Sequence, residues 1–221
     1  MLRRSPPPSV DALLARARSL VGHGLGEIAL ALGATIGDHT THTKGKFGVL
    51  LEHALGAAGG SGAVHDFPEL GVELKTIPVD ARGKPAESTY VCTLHLLSAE
   101  ALVWETSWVK QKLSRVLFIS VDAEPADWRE RVVRGVHYWE PDAEAWATLR
   151  ADFEEAVGLV TTGRIEALNA RLGQVLQVRP KAKDGKKTLL VPDAEGTLIA
   201  TVPRGFYLRP AFTTEILQRY R

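Results

Sequence analysis

Apolar residues Val10, Leu13, Leu14, Ala17 and Val21 recur at the spacing of one helical face, with Ser9 placed to cap the start and Gly22 to mark the end. A second short helix is predicted through Leu25, Ile28 and Leu32. Phe47, Leu50, Leu51, Ala54 and Leu55 predict a third, with Glu52 at the edge of its stripe, before a flexible glycine-rich loop from Gly56 to Gly62. The pattern then changes period. Between Gly71 and Pro78, Val72, Leu74 and Thr76 alternate with Glu73, Lys75 and Ile77, which is a strand that Pro78 ends or places at a sheet edge. Further strands are predicted over 90–97 and 116–121, the second nearly all apolar and so central in its sheet. A short basic helix fits Ser107 to Leu113. Residues 142–162 form the clearest helix, with Trp146, Leu149, Phe153, Val157 and Val160 on one face, acids on the other and Gly163 at its end. A helix near 164–171 and short strands near 175–178, 188–191 and 197–202 complete the pattern, with turns at Asp184-Gly185 and Glu195-Gly196. Arg179-Pro-Lys181 and Pro203-Arg-Gly-Phe-Tyr207 fall on loops or turns. The whole is a mixed α/β (α+β) fold, expected as a single domain over 1–221 with two lobes about a cleft.

Composition narrows the class. At 221 residues, 45% hydrophobic and 24% charged, the chain is neither disordered nor fibrous. A single cysteine, Cys92, excludes an intramolecular disulfide and suits a reducing compartment. The proline-rich start lacks the apolar run of a signal peptide, and Glu27 and glycines interrupt the longest candidate for a membrane span. A soluble, cytoplasmic protein without membrane association is expected. The net charge of +1 hides an asymmetry: residues 120–160 carry ten acids against four arginines, whereas 164–221 carry eleven basic residues against five acids. A polyanionic partner on the basic side is one reading and an ordinary solvated face the other. The near-neutral total argues against tight sequence-independent DNA binding, which needs many phosphate neutralisations.

The chemically loaded stretch is Asp66 followed by Glu73-Leu74-Lys75. Glu73 and Lys75 project from one strand face, and Asp66 sits just before that strand. Two carboxylates with a backbone carbonyl such as that of Leu74 suit Mg²⁺, which keeps several waters and favours phosphate substrates. Such a metal would activate water and neutralise charge on the phosphate, while Lys75 orients or deprotonates the nucleophile. Glu52 can bring a third carboxylate, and Lys112 another cation. By spacing alone a solvated side chain is the preferred reading of each.

Other patterns carry less. His39 and His42 have a metal-like spacing but lack a second ligand pair. The Gly56–Gly62 loop lacks the Lys-Ser/Thr of a P-loop, and no Gly-x-Ser-x-Gly elbow is present. Trp104, Trp108, Trp128, Trp139 and Trp146 suit packing better than base stacking. Arg and Lys on loops can donate to guanine acceptors in a major groove, which gives the 179–181 and 203–207 segments a second reading besides surface turns.

Taken together, Lys44-Gly-Lys-Phe-Gly-Val-Leu-Leu-Glu52, His65-Asp-Phe67, Leu70-Gly-Val-Glu-Leu-Lys-Thr-Ile-Pro-Val79, Trp104-Glu-Thr-Ser107 and Arg204-Gly-Phe-Tyr207 resemble, in this order, the MutH family of DNA mismatch-repair endonucleases. The resemblance implies a restriction-endonuclease-like fold, a mixed sheet flanked by helices, with two arms around a DNA-binding cleft. It implies nicking of the unmethylated strand at hemimethylated GATC sites, with activation by MutL, itself directed by MutS. Asp66, Glu73 and Lys75 match the family's Asp…Glu-x-Lys set, Glu52 the additional helix carboxylate and Lys112 the additional lysine. Asp66 and Glu73 would bind Mg²⁺. Lys44 and Gly45 match a DNA-contacting loop, and Tyr90 a position near the DNA. Arg179, Pro180, Lys181 and Tyr207 match sequence-reading segments, with Tyr207 placed to sense adenine methylation, so that the basic part 164–221 contributes DNA readout. A monomer is expected. The rivals are a type II restriction enzyme cutting both strands at GATC, a non-catalytic GATC-binding partner of MutL, and an enzyme on a non-nucleic-acid phosphate ester.

Overall fold

Ser9 caps the first helix, its hydroxyl accepting from the Ala12 N–H at 3.2 Å, and α1 spans Val10–Arg18 in the computed structural model of this chain, which describes residues 3–33, 46–58, 64–98, 102–181 and 188–219. Val21 lies past the helix and is 42% exposed, because the Ser19 hydroxyl bonds back to the Arg16 carbonyl and the chain reverses through Gly22 at φ 86°. The next two helices, α2 (Leu25–Ala31) and α3 (Lys46–Leu55), follow the predicted stripes. The polar stretch with His39, His42, Lys44 and Gly45 lies outside the described residues, as does the end of the glycine-rich loop.

Two compact units divide the chain. The first comprises Met1–Glu87, Arg115–Glu140 and Thr214–Arg221, and the second Ser88–Ser114 and Pro141–Thr213. In the first, β1 (Glu73–Val79) runs parallel to β3 (Val116–Asp122), which pairs antiparallel with β4 (Val133–Trp139). The apolar β3 is central, with every residue from Val116 to Val121 buried. Edge strand β1 tolerates Pro78 for a simple reason. The Glu73 N–H donates to Arg115, so the alternation turns the even-numbered amides, including the missing N–H of Pro78, to the open edge. The helices bury Leu13, Ala17, Leu25, Ile28, Leu51 and Leu55 in one core with Leu74, Leu117 and Ile119 of the sheet. Each such leucine or isoleucine contributes roughly 1.5–3 kcal/mol relative to exposure. Strand β4 has no clear alternation in sequence, because it interleaves Arg134 and Gly135 with apolar residues and pairs across an irregularity at Ser120/Val121.

In the second unit, β2 (Thr89–Leu94), β8 (Arg204–Leu208) and β5 (Leu176–Pro180) form an antiparallel sheet with β8 in the middle, and β6 (Leu189–Pro192) and β7 (Leu198–Thr201) form a separate hairpin. Helix α4 (Trp108–Leu113) is capped by Ser107, and α5 (Ala143–Thr161) by Asp142. Packing accounts for most of the tryptophans. Trp104 meets Trp146 and Phe153, which stacks on Phe206 at 5.4 Å, and Trp139 is buried in the first unit.

Several expectations need correction. The predicted helix at 164–171 is a single 3-10 turn, Ile165–Ala167, followed by irregular chain. Asn169 folds onto its own backbone there, and Arg209 draws on the carbonyls of Ala170, Leu172 and Gly173, bonds incompatible with a helical ladder. Arg179-Pro180 and Arg204–Tyr207 are strand rather than loop. Asp152 is not on a solvated acidic face but is 6% exposed on the packed side of α5. The final helix α6 (Pro210–Arg219), begun at a proline, has no counterpart in the periodic pattern. Among the described residues no helix is long and apolar enough to cross a membrane.

Candidate functional site

Three local devices bring the acidic cluster together at the open edge of β1. At the end of α3, the N–H groups of Gly56 and Ala57 both donate to the Glu52 carbonyl, and Ala58 N–H donates to the Asp66 carbonyl, which ties the helix end to the segment before β1. Phe67 and Val72 then exchange backbone hydrogen bonds around a 3-10 turn, Pro68–Leu70, closed by Gly71 at φ 62°. That reversal carries Asp66 beside β1, where its Oδ2 accepts from the outward-turned Leu74 N–H at 2.8 Å. Glu73 and Lys75, two apart on one face, form the third part, with Lys75 Nζ donating to Glu73 Oε1 at 2.8 Å.

The electrostatics show how close these groups are. Burial first, and then the Asp66 and Glu73 carboxylates, push the Glu52 carboxyl above its ordinary value, while Arg3 and Lys75 pull it back. Glu73 itself is 3% exposed. Carboxyl groups perturbed by burial and by neighbouring charges cluster at functional sites. The donor chemistry suits a hard divalent ion. Asp66, Glu73 and the Leu74 carbonyl, which the strand alternation also turns to the open edge, are oxygen ligands of the kind that hold Mg²⁺ together with water. Among the described residues, no three His, Cys, Asp or Glu side chains enclose a metal by themselves, so waters would complete the shell. Lys112 is half-buried on α4, in the second unit.

Arg3 has no signal in the sequence. Its guanidinium donates to the Ala58 carbonyl at 2.7 Å and lies 3.5 Å from His53 Nε2. Burial, followed by Arg3, keeps the His53 imidazole below its ordinary value. No spacing rule links residue 3 to residue 52, so only the fold brings them together.

A second constellation occupies one face of the β2–β8–β5 sheet. Cross-strand register sets Tyr90, Tyr207 and Gln177 in one row and Thr93, Gly205 and Arg179 in the next. Tyr90 and Tyr207 meet edge to face at 5.3 Å, and Arg179 lies over the Tyr207 ring. Lys181 sits over the Tyr90 ring and donates to the Tyr90 hydroxyl at 2.7 Å and to Thr93 Oγ1 at 2.9 Å. Ser88 Oγ accepts from Gln177 at 2.7 Å and from Arg179 at 3.1 Å. Of the sequence-predicted residues, Tyr90, Arg179, Lys181 and Tyr207 thus meet, and Pro180 lies between two of them in β5. Ser88, Gln177 and Gly205 join them without having been predicted, although period two run back from Lys181 through Arg179 reaches Gln177.

Gly205 is needed for its size. A Cβ there would lie 2.9 Å from the Tyr90 ring, 3.1 Å from the Cys92 carbonyl and 3.3 Å from the Tyr207 ring. Gly205→Ala is therefore expected to split the tyrosine pair and to cost roughly 1–3 kcal/mol in a urea titration. An unchanged unfolding midpoint would show that the sheet absorbs the methyl group.

Comparison with known proteins shows the family. The family model described as "DNA mismatch repair enzyme MutH" matches residues 55–152, a span containing Asp66, Glu73, Lys75, Tyr90 and Lys112. The "DNA mismatch repair protein MutH" of Klebsiella pneumoniae is 45% identical over 217 residues, covering 98% of this chain and 94% of that protein. The protein of the same name from Escherichia coli K12 is 44% identical over 217 residues, covering 98% of this chain and 95% of its own. With the mixed α/β fold and the matched span holding Asp66, Glu73 and Lys75, similarity over nearly the full length leads to one conclusion: the chain belongs to the MutH family of DNA mismatch-repair enzymes.

Proposed function

We propose that this chain is a Mg²⁺-dependent endonuclease that nicks the unmethylated strand of duplex DNA at hemimethylated GATC sites, activated by MutL, which MutS directs. The observation that carries this reading is the convergence of Glu52, Asp66, Glu73 and Lys75 at the edge of β1, with the Glu52 carboxyl pushed above its ordinary value by burial and by its acidic neighbours. Asp66 and Glu73, with the Leu74 carbonyl, would hold the ion. When bound, Mg²⁺ neutralises charge on the phosphate and lowers the pKa of a ligated water. Lys75, fixed by Glu73, and Glu52 position the attacking water, and Lys112 assists. The water oxygen adds to phosphorus as the water gives up a proton to solvent, one ester P–O bond breaks, and the departing sugar oxygen takes up a proton from solvent.

Sequence readout falls to Arg179, Pro180, Lys181 and Tyr207, with Tyr90 close to the DNA and Lys44 and Gly45 on a contacting loop. Arg and Lys reach guanine acceptors in the major groove, and the Tyr207 ring is positioned to sense an adenine methyl group. The same reading takes the chain as a monomer and as one two-lobed endonuclease domain over 1–221, the part from 164 contributing readout.

The test is nicking of a plasmid carrying one hemimethylated GATC site, with Mg²⁺ or EDTA and with or without MutL, beside Lys75→Ala and a fully methylated plasmid. The expected result is a single nick in the unmethylated strand, stimulated by MutL and lost with EDTA, in the variant and on full methylation. Cutting of both strands at every GATC regardless of MutL would replace this reading with a restriction enzyme. Site-specific binding without cleavage would replace it with a non-catalytic partner.

A further inference from the structure

Thr93 and Tyr90 are three residues apart on β2, and in a regular strand such residues face opposite sides of the sheet. Here they face the same side, with the Tyr90 hydroxyl and Thr93 Oγ1 2.9 Å apart. The cause is a register shift: Tyr90 pairs with Tyr207 but Cys92 pairs with Phe206, so Val91 is an extra residue that inverts the alternation beyond it. A bulge of this kind re-aims a side chain. What it re-aims is the Thr93 hydroxyl, which together with the Tyr90 hydroxyl receives the Lys181 ammonium at 2.9 and 2.7 Å.

The chemistry of the partners matters as much as their position. Lys181 is held by two neutral hydroxyls and Arg179 by the neutral Ser88 hydroxyl, and among the described residues neither forms an ion pair with a carboxylate. Lys75 differs in this respect, since Glu73 neutralises it. A long lysine side chain on an exposed strand end samples many rotamers, and fixing it only on binding lowers affinity. Hydroxyl partners fix it beforehand and leave its full positive charge for a polyanion, where a carboxylate would cancel it.

We propose that Thr93 is a positioning residue for sequence readout: the bulge at Val91 turns its hydroxyl onto Lys181 and so presents that ammonium, still charged, to the DNA. This rests on the reading of the chain as a GATC-specific nicking enzyme. Thr93 touches no DNA in this account and acts wholly through Lys181.

The experiment measures kcat/KM for nicking of a hemimethylated GATC duplex and of a duplex with one base pair of the site changed, for the wild type, Thr93→Val, Thr93→Ser, Lys181→Ala and Thr93→Val/Lys181→Ala. Thr93→Val is expected to reduce the preference for GATC by about tenfold, the scale of one hydrogen bond to a charged group. Thr93→Ser, which keeps the hydroxyl, restores the preference, and Thr93→Val has no further effect once Lys181 is alanine. Additive effects of the two substitutions, wild-type preference in Thr93→Val, or equal losses in the valine and serine variants would each overturn the proposal. A wild type without preference for GATC would instead overturn the function on which it rests, and the proposal with it. Loss of preference in Lys181→Ala but not in Thr93→Val would overturn the role of Thr93 alone.

Discussion

Replacing Glu73 by glutamine is expected to lower the rate of DNA nicking by about three orders of magnitude while leaving DNA binding in EDTA intact or tighter. Glutamine keeps the shape of a side chain that is 3% exposed and still offers an oxygen to Lys75 Nζ. What it removes is one of the charges that, after burial and Asp66, push the Glu52 carboxyl above its ordinary value. Under the proposed function, a divalent ion would then lose one of its two anionic ligands. Metal stabilisation of a phosphoryl transition state is worth several kcal/mol, and each ~1.36 kcal/mol is tenfold in rate, which sets the size of the expected loss. Binding should move the other way, because a phosphate approaching the site meets one carboxylate fewer. Single-turnover nicking with saturating Mg²⁺ and fluorescence anisotropy in EDTA separate the two effects. A variant that nicks at the wild-type rate would remove Glu73 from the site, and one that no longer binds DNA would give it a structural rather than chemical role.

The legible parts of the fold are those whose signal is local and periodic. The three N-terminal helices, β1 with its edge proline and the apolar β3 can be read because one repeat, 3.6 or 2, decides which face is buried. The acidic cluster is legible in part for the same reason: alternation alone puts Glu73 and Lys75 together. Asp66 needs more, since its approach to Leu74 depends on the reversal through Gly71 and the exchange between Phe67 and Val72. The C-terminal third is the least legible. Arg204–Tyr207 looks like a turn because it contains a glycine and follows a proline, yet β8 is the middle of its sheet. Gly205 is there to leave room for two tyrosines from different parts of the chain, a cause no local window contains. Thr93 is hidden by the bulge at Val91, which breaks the periodicity that assigns faces.

Asp152 shows how far such a non-local cause can reach, and its truncation is expected to destabilise the second unit more than the loss of any single hydrogen bond. From the packed side of α5, its carboxylate accepts from three consecutive backbone groups, Gln174 N–H at 2.8 Å, Val175 N–H at 2.7 Å and Leu176 N–H at 2.8 Å. Arg209 grips the same turn through its carbonyls, donating to Ala170 and Leu172 at 2.9 Å and to Gly173 at 3.0 Å. Donors on one side and acceptors on the other thus fix the turn that leads into β5, the strand bearing Arg179. Gly173, at φ 76°, has no room for a side chain, since a Cβ would lie 1.9 Å from the Leu176 carbonyl. Asp152→Ala leaves three N–H groups without their acceptor. At about 1–3 kcal/mol for each N–H left unsatisfied, less what water entering the partly exposed turn restores, a loss of roughly 3–5 kcal/mol follows. Asp152→Asn should recover little, because its amide presents an N–H₂ donor to backbone donors where the carboxylate presented a second oxygen. Urea unfolding gives the energy, and amide hydrogen exchange at Gln174, Val175 and Leu176 gives the location, with exchange expected to accelerate there first. A loss below about 1 kcal/mol, the ordinary scale of one hydrogen bond, would mean that Arg209 alone holds the turn and that the three contacts to Asp152 are incidental.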